Sequence, residues 1–213
     1  SHRGFEIALS GSEIPFPQVT AQLGELDFNI TIPASKSDAP QDFAMLTSFK
    51  GLNVGNEIWS MFDPAGMIPR DPANLVLDLA GTGNWLVDIM DPASAESMDK
   101  QPGELHSLTL KDMELSVAGA SLTGKGAFTF DNNDLESFDG MPAPSGQADF
   151  TLTGANKLLD TLVNMGLVPE DQAQGMRMMT GMFARPGDGE DTLVSEIVVT
   201  EDGQVLANGQ RLK

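Results

Sequence analysis

The chain has 213 residues with 31 acidic against 12 basic side chains, a net charge of −19, and no cysteine or tyrosine. That field repels phosphate backbones and anionic lipid surfaces and sets nucleic acid aside as a partner, while the absence of thiols removes disulfides, thiol catalysis, iron–sulfur clusters and cysteine-type zinc sites. A hydrophobic fraction of 40% is that of a globular chain able to bury a core, and no run approaches the roughly 18 apolar residues of a membrane helix.

The opening "SHRGFEIALS" is not a basic start followed by an apolar segment, so it does not read as a signal peptide. It lacks an initial Met, and the chain reads as a mature product or part of a longer protein. Phe5, Ile7 and Leu9 alternate, as do Leu26, Phe28, Ile30 and Ile32 against Asp27, Asn29 and Thr31. Period two with one apolar face is the pattern of half-buried strands. "SKSDAPQD" (35–42) is a polar turn, and "FAMLTSFKGLNV" follows as a strand.

Residues 56–75, "NEIWSMFDPAGMIPRDPANL", form a connector. Asn56 is expected to cap a short helix through "EIWSMF", stopped at Asp63-Pro64. The steps Asp63-Pro64 and Asp71-Pro72 hold the residue before each proline extended, which makes the connector rigid. Trp59, Met61, Phe62 and Ile68 supply apolar anchors, and Arg70 can pair with Asp71, Asp63 or a carbonyl. Nothing here is a nucleophile or a base. Trp59, Phe62, Asp63, Pro64, Arg70, Asp71 and Pro72 therefore read as a fastener that pins the amino-terminal strands to the central sheet.

"NLVLDLAGTGNWLVDIM" is a strand with Leu75, Leu77 and Leu79 facing one way, and Gly81-Thr82-Gly83 predicts a bend or bulge. Residues 91–103 carry Pro, Ser and charge without periodicity, a flexible loop or a subdomain boundary. Beyond them Leu108 and Leu110 give way to Met113, Leu115 and Val117. The change of parity near Lys111-Asp112 calls for a bulge or a change of exposed face. Leu122, Phe128 and Phe130 follow a turn at Ala118–Ala120, with Gly124 and Gly126 on the same parity, and Ala148, Phe150 and Leu152 follow a long loop.

Beyond the connector, helices are expected at about 156–166 and 170–184. Asn156 is the expected cap of the first and Gly166 its stop, with Leu158, Leu159, Leu162 and Val163 on one stripe. Pro169 sits at a first-turn position of the second, whose stripe is Ala173, Met176, Met179 and Phe183. A hairpin about Glu201-Asp202-Gly203 closes the chain. Strands that alternate without interleaved helices make an antiparallel sheet. The fold class is α+β and predominantly β: one extended, twisted antiparallel sheet, a short connector helix, and two helices packed on one face.

His2 lies at a terminus and His106 at a strand start, with no G-x-S-x-G elbow beside either. No phosphate-cradling glycine loop is present. Carboxylate pairs are abundant, but two Trp and no Tyr are poor material for a sugar platform. "DNNDLESFDG" gathers Asp131, Asn133, Asp134 and Asp139, yet Glu136 and Pro142 stand where an EF-hand needs Gly and Glu, which leaves an irregular calcium loop or a solvated loop. No catalytic residue, metal ligand or cofactor is assigned. Met165, Met176, Met178, Met179 and Met182 cluster on the helical pair. Such a stripe is core, or it is an adaptable groove for a lipid or a partner helix; Met178 and Met182 lie off the core stripe.

"WSMFDPAGMIPRDP" (59–72), "FTFDNNDLESFDGMPAPSG" (128–146), "LLDTLVNMGLVPEDQ" (158–172) and the terminal "DGQVLANGQRL" resemble the alphaproteobacterial domain of unknown function 2125, from about residue 43 onward. The resemblance implies an exported, periplasmic protein of which this chain is the carboxy-terminal part, a single β-rich domain over 1–213 with a possible subdivision near 91–103. The closing hairpin and repeated "L-x-G" ribbons are similar to AsmA-like envelope proteins, which implies lipid transport or envelope assembly. The expected function is non-enzymatic: a sheet face that holds a lipid or other apolar ligand through Leu108, Leu110, Leu122, Phe128, Phe130, Phe150, Met176 and Met179. The alternatives are an interaction module for an envelope protein and, behind it, an acid-pair hydrolase.

Overall fold

The computed structural model describes residues 2–10, 18–88, 90 and 102–213. One sheet runs through β1 (His2–Leu9), β2 (Val19–Thr31), β3 (Gln41–Val54), β4 (Ala73–Trp85), β5 (Gly103–Val117), β6 (Ala120–Asp131), β7 (Ala143–Thr153), β8 (Arg185–Pro186), β9 (Thr192–Val199), β10 (Val205–Ala207) and β11 (Gln210–Arg211). The spatial order is the chain order, except that β9 lies beside β7 and carries β8 on its other side. All these pairings are antiparallel. The sequence alternates and turns tightly, so each strand finds its partner in its chain neighbour. At Ala118-Gly119 both turn residues have positive φ (55° and 79°), the geometry that lets a two-residue loop match the twist of β5 and β6.

The expected irregularities are present. The β4–β5 register slips between Asp78 and Leu79, beside Lys111-Asp112, and again between Thr82 and Gly83. The first slip reconciles the two parities of β5, since Leu77 faces Met113 while Leu79 faces Leu110. The possible subdivision near 91–103 falls mostly outside the described residues; β4 and β5, on either side of it, pair along their length.

Among the described residues three helices accompany the sheet: α1 (Asn56–Phe62), α2 (Ala155–Asn164) and α3 (Glu170–Phe183). Neither expected asparagine cap forms. Gly55 is the N-cap of α1, and Asn56 instead accepts a hydrogen bond from Arg70 at 3.1 Å. Gly154 precedes α2 in the left-handed region, and Asp191 reaches across to cap that helix. Its Oδ2 accepts from the Lys157 amide at 2.8 Å, and its Oδ1 from the Asn156 amide and side chain at 3.3 and 2.8 Å. Gly166 ends α2 as expected: its amide donates to Val163 and the Leu167 amide to Leu162, leaving few orphan carbonyls. Pro169 is the N-cap of α3 rather than a residue of its first turn.

Burial is sparse. The buried apolar residues among the described ones are Ile68, Val76, Ala148, Ala173 and Ala207, three of them alanines. The chain exposes 13374 Å², against about 9,500 Å² for a compact monomer of 22.7 kDa. A sheet normally buries its apolar face under a second layer. Here α2 touches β6, and α1 touches β2.

Candidate functional site

Tracing register from strand to strand shows how the side chains are sorted. Cross-strand partners share a face. One row runs Leu26, Phe49, Leu75, Leu115, Leu122, Leu152, Leu193 and Pro186, unbroken from β2 to β8. Two residues along, the next row is Phe28, Thr47, Leu77, Met113, Gly124, Phe150 and Ser195. The third is Ile30, Met45, Leu79, Leu110, Gly126, Ala148, Ile197 and Ala207. The fourth is Phe43, Gly81, Leu108, Phe128, Gly146, Val199 and Val205. These four rows hold no charged residue and only two hydroxyls. The other face carries the charge, including Glu25 opposite Lys50, Asp78 opposite Asp112, and Lys125 and Glu196 on either side of Asp149.

Glycine and phenylalanine are paired within the apolar rows. A Cβ on Gly81 would come within 2.5 Å of the Phe43 ring, one on Gly124 within 2.5 Å of the Phe150 ring, and one on Gly146 within 2.9 Å of the Phe128 ring. Each ring therefore lies over a neighbouring strand's backbone instead of standing away from the sheet. The result is a low, continuous hydrocarbon floor. Eight strands at about 4.8 Å and four rows at about 6.8 Å give it roughly 34 by 20 Å, larger than the apolar patch of an ordinary monomer. Exposure is greatest at the β2 side, where Phe28 is 65% and Ile30 52% exposed.

Of the residues expected to bind an apolar ligand, Leu108, Leu110, Leu122, Phe128 and Phe150 lie within the four rows, and Phe130, opposite Pro144, continues the same face. Met176 and Met179 do not join them. Met176 lines a cavity under α2, while Met179 is 64% exposed on α3. On the expected core stripe of α3 only Ala173 is buried; Met176, Met179 and Phe183 are exposed, as are Met178 and Met182. The β2–β4 residues of the floor were readable as strand faces, but parity within one strand does not say which face meets which in the next.

Two hollows at the margins of the floor are lined by its own side chains and by the elements beside it. One, of about 180 Å³, lies between Ile32, Phe43, Trp85 and Leu105, where Trp85 donates its indole N–H to the Pro33 carbonyl at 2.8 Å. Beside it Asn84 donates to the Ser37 carbonyl, so its oxygen must accept from His106 Nε2 at 2.7 Å, which places the ring proton there. The second, of about 220 Å³, lies between α2, α3 and the sheet.

The connector forms a compact knot. Asp63 is fully buried, and its carboxylate accepts the amides of Met67 (2.8 Å) and Ile68 (3.0 Å). Burial opposes its charge most strongly, but those amides, with Arg70 and the Gly66 amide, hold its pKa below the usual carboxylate range. Arg70 donates to the Asp63 carbonyl at 3.3 Å and lies 5.3 Å from the centre of the Trp59 ring, which meets Phe62. The amide of Gly55 bonds Thr20 of β2, and Pro69 lies against Gly119 in the β5–β6 turn. Asp71 and Pro72 lead into β4, with the Pro72 carbonyl accepting from Asn74 at 3.4 Å. Pro64 follows the buried aspartate in the turn, while Met61 and Phe62, expected as anchors, are exposed.

In the acidic loop, Asp131 accepts from Asn133 and Asp134 from the amides of Glu136 and Ser137, local bonds that fold the loop on itself. No group of three His, Cys, Asp or Glu placed to hold a metal occurs among the described residues, and no described helix is long and apolar enough to cross a membrane.

A family model described as "Uncharacterized protein conserved in bacteria (DUF2125)" matches residues 3–212, so the likeness also takes in the strands before residue 43. No curated protein and no solved structure matches the chain.

Proposed function

The chain belongs to the DUF2125 family, and on that premise we propose that it is a non-enzymatic envelope protein whose apolar sheet face holds the acyl chains of a lipid. The observation that carries this reading is the set of four uncharged rows crossing up to eight strands. A floor about 20 Å deep accepts an acyl chain, which spans half of the ~30 Å hydrocarbon core of a bilayer. Binding rests on removal of methylenes from water, at about 0.8 kcal/mol each. The net charge of −19 favours a neutral or zwitterionic headgroup over an anionic one. A periplasmic location rests on the exported character that the family resemblance implies.

The test is native mass spectrometry and solvent extraction of the purified protein. Stoichiometric lipid is expected in the wild type and its loss in Leu110→Glu, with the strand signal in circular dichroism unchanged. Lipid-free wild-type protein would sink the proposal. A protein partner is the second reading, favoured by Met178, Met179 and Met182 at 57–70% exposure on α3. In that case a crosslinking partner would be lost on Met178→Gln/Met182→Gln while lipid content stayed the same.

A further inference from the structure

The cavity under α2 is continuous with the same apolar surface, because two of its walls, Leu152 and Leu193, belong to the first row, next to its β8 end. Leu158, Leu159 and Leu162 of α2 and Met176 of α3 close it over. Its volume of about 220 Å³ exceeds the ~150 Å³ that takes one benzene, which gives room for about six to eight carbons of a chain.

The polar groups on its wall are already engaged. Arg177 pairs with Asp160, the Asn156 amide donates to Asp191, and the Thr180 hydroxyl donates to the Met176 carbonyl at 2.8 Å. Among the described residues Arg177 is the one charged side chain lining the cavity, and its carboxylate partner, itself largely exposed, marks the solvent rim. A headgroup would find its donors taken and two carboxylates, Asp160 and Asp191, nearby. A hydrocarbon end would find leucine on both sides.

We infer that this cavity grips the terminal segment of an acyl chain, with no selection for the headgroup, and that α2 and α3 are the clamp over the end of the floor. The inference rests on the lipid reading of the sheet face but can fail separately from it. Protein labelled with [methyl-¹³C]Met is titrated with 1-octanol and with octyl glucoside. The Met176 methyl signal should move while Met178 and Met182, exposed on α3, stay fixed. The two ligands, alike in tail and unlike in head, should bind within about threefold of one another, as expected where contact is apolar. Leu159→Trp fills the cavity and should weaken octanol binding at least about tenfold, the cost of losing a few buried methylenes. Gln174→Ala, exposed on α3 and no part of the cavity wall, should leave the affinity unchanged and serves as the control.

An unmoved Met176 signal, equal shifts at all the α3 methionines, or a strong headgroup preference would overturn the inference. If Met176 does not respond but lipid still co-purifies and is lost in Leu110→Glu, the clamp is wrong and the face reading stands. If octanol binds at Met176 and no lipid is extracted, the face reading fails, and with it the acyl-chain clamp, leaving only a small apolar cavity.

Discussion

Gly146 and Gly175 mark the two extremes of what one added methyl group does in this chain. A Cβ on Gly146 would run into the Ala127 carbonyl and lie 2.8 Å from the Phe128 Cα, backbone that cannot move without breaking the β6–β7 ladder. Gly146→Ala should cost about 1–3 kcal/mol, read as a lower urea midpoint. Gly175 lies inside α3 with nothing within 4 Å of such a Cβ. Gly175→Ala should therefore raise stability by about 0.5–1 kcal/mol through helix propensity and the unfolded chain. A destabilising Gly175→Ala would mean that the helix is not the one described. The carboxylates make a second residue-scale test. Asp63 and Asp191 are held below the usual range by amides that outweigh their burial, and Asp134 by the hydroxyl and amide of Ser137. A folded pKa below the unfolded one gives stability that is present above about pH 4 and lost as pH falls toward the folded value. Protonating the other carboxylates meanwhile relieves the repulsion behind the −19 charge. The clean readout is a difference: the gap in urea midpoint between wild type and Asp63→Asn should narrow as pH drops from 6 to 3.

At the scale of elements, α2 depends on a residue that its own sequence does not contain. Asp191, in the left-handed region with φ 46°, caps it from the β8–β9 turn, more than thirty residues away. Asp191→Ala should cost about 1 kcal/mol, the usual loss of a cap. Amide exchange should speed up across Asn156–Leu159 and leave β5–β7 slow, since the sheet ladder does not use the cap. That long-range contact is invisible in the local sequence of α2, and α1 has no side-chain cap at all. Asn56 and Asn156 have the right chemistry one or two residues inside each helix, but Gly55 and Gly154 begin those helices. Strand faces were legible because period two is local, and the β5 parity switch even located its bulge. The exposure of Met179 and Phe183, on the expected core stripe of α3, was not legible, because a helix in isolation does not say which side it turns to the sheet.

The whole molecule is a sheet with fewer buried side chains than its size calls for, and that shortage links fold to function. Leu26, Leu75 and Leu122 each read in sequence as the apolar side of a separate strand. Only pairing makes them one row, and only the lack, among the described residues, of a covering layer over most of it makes that row a surface. A ligand that fills such a face binds the folded chain and not the unfolded one, so it must stabilise the fold by mass action. Protein stripped by solvent and refolded should melt at a lower temperature than protein as purified. Adding back a neutral diacyl lipid at about a hundred times its Kd should restore about 2.7 kcal/mol. Leu79→Glu, at the centre of the third row, should abolish that gain. Its intrinsic cost in the stripped protein should stay small, because Leu79 is only half-buried there. In a closed core the same substitution would cost several kcal/mol with or without lipid. A large loss in stripped Leu79→Glu would therefore mean that another part of the chain already covers the floor, and the site would have to be sought elsewhere.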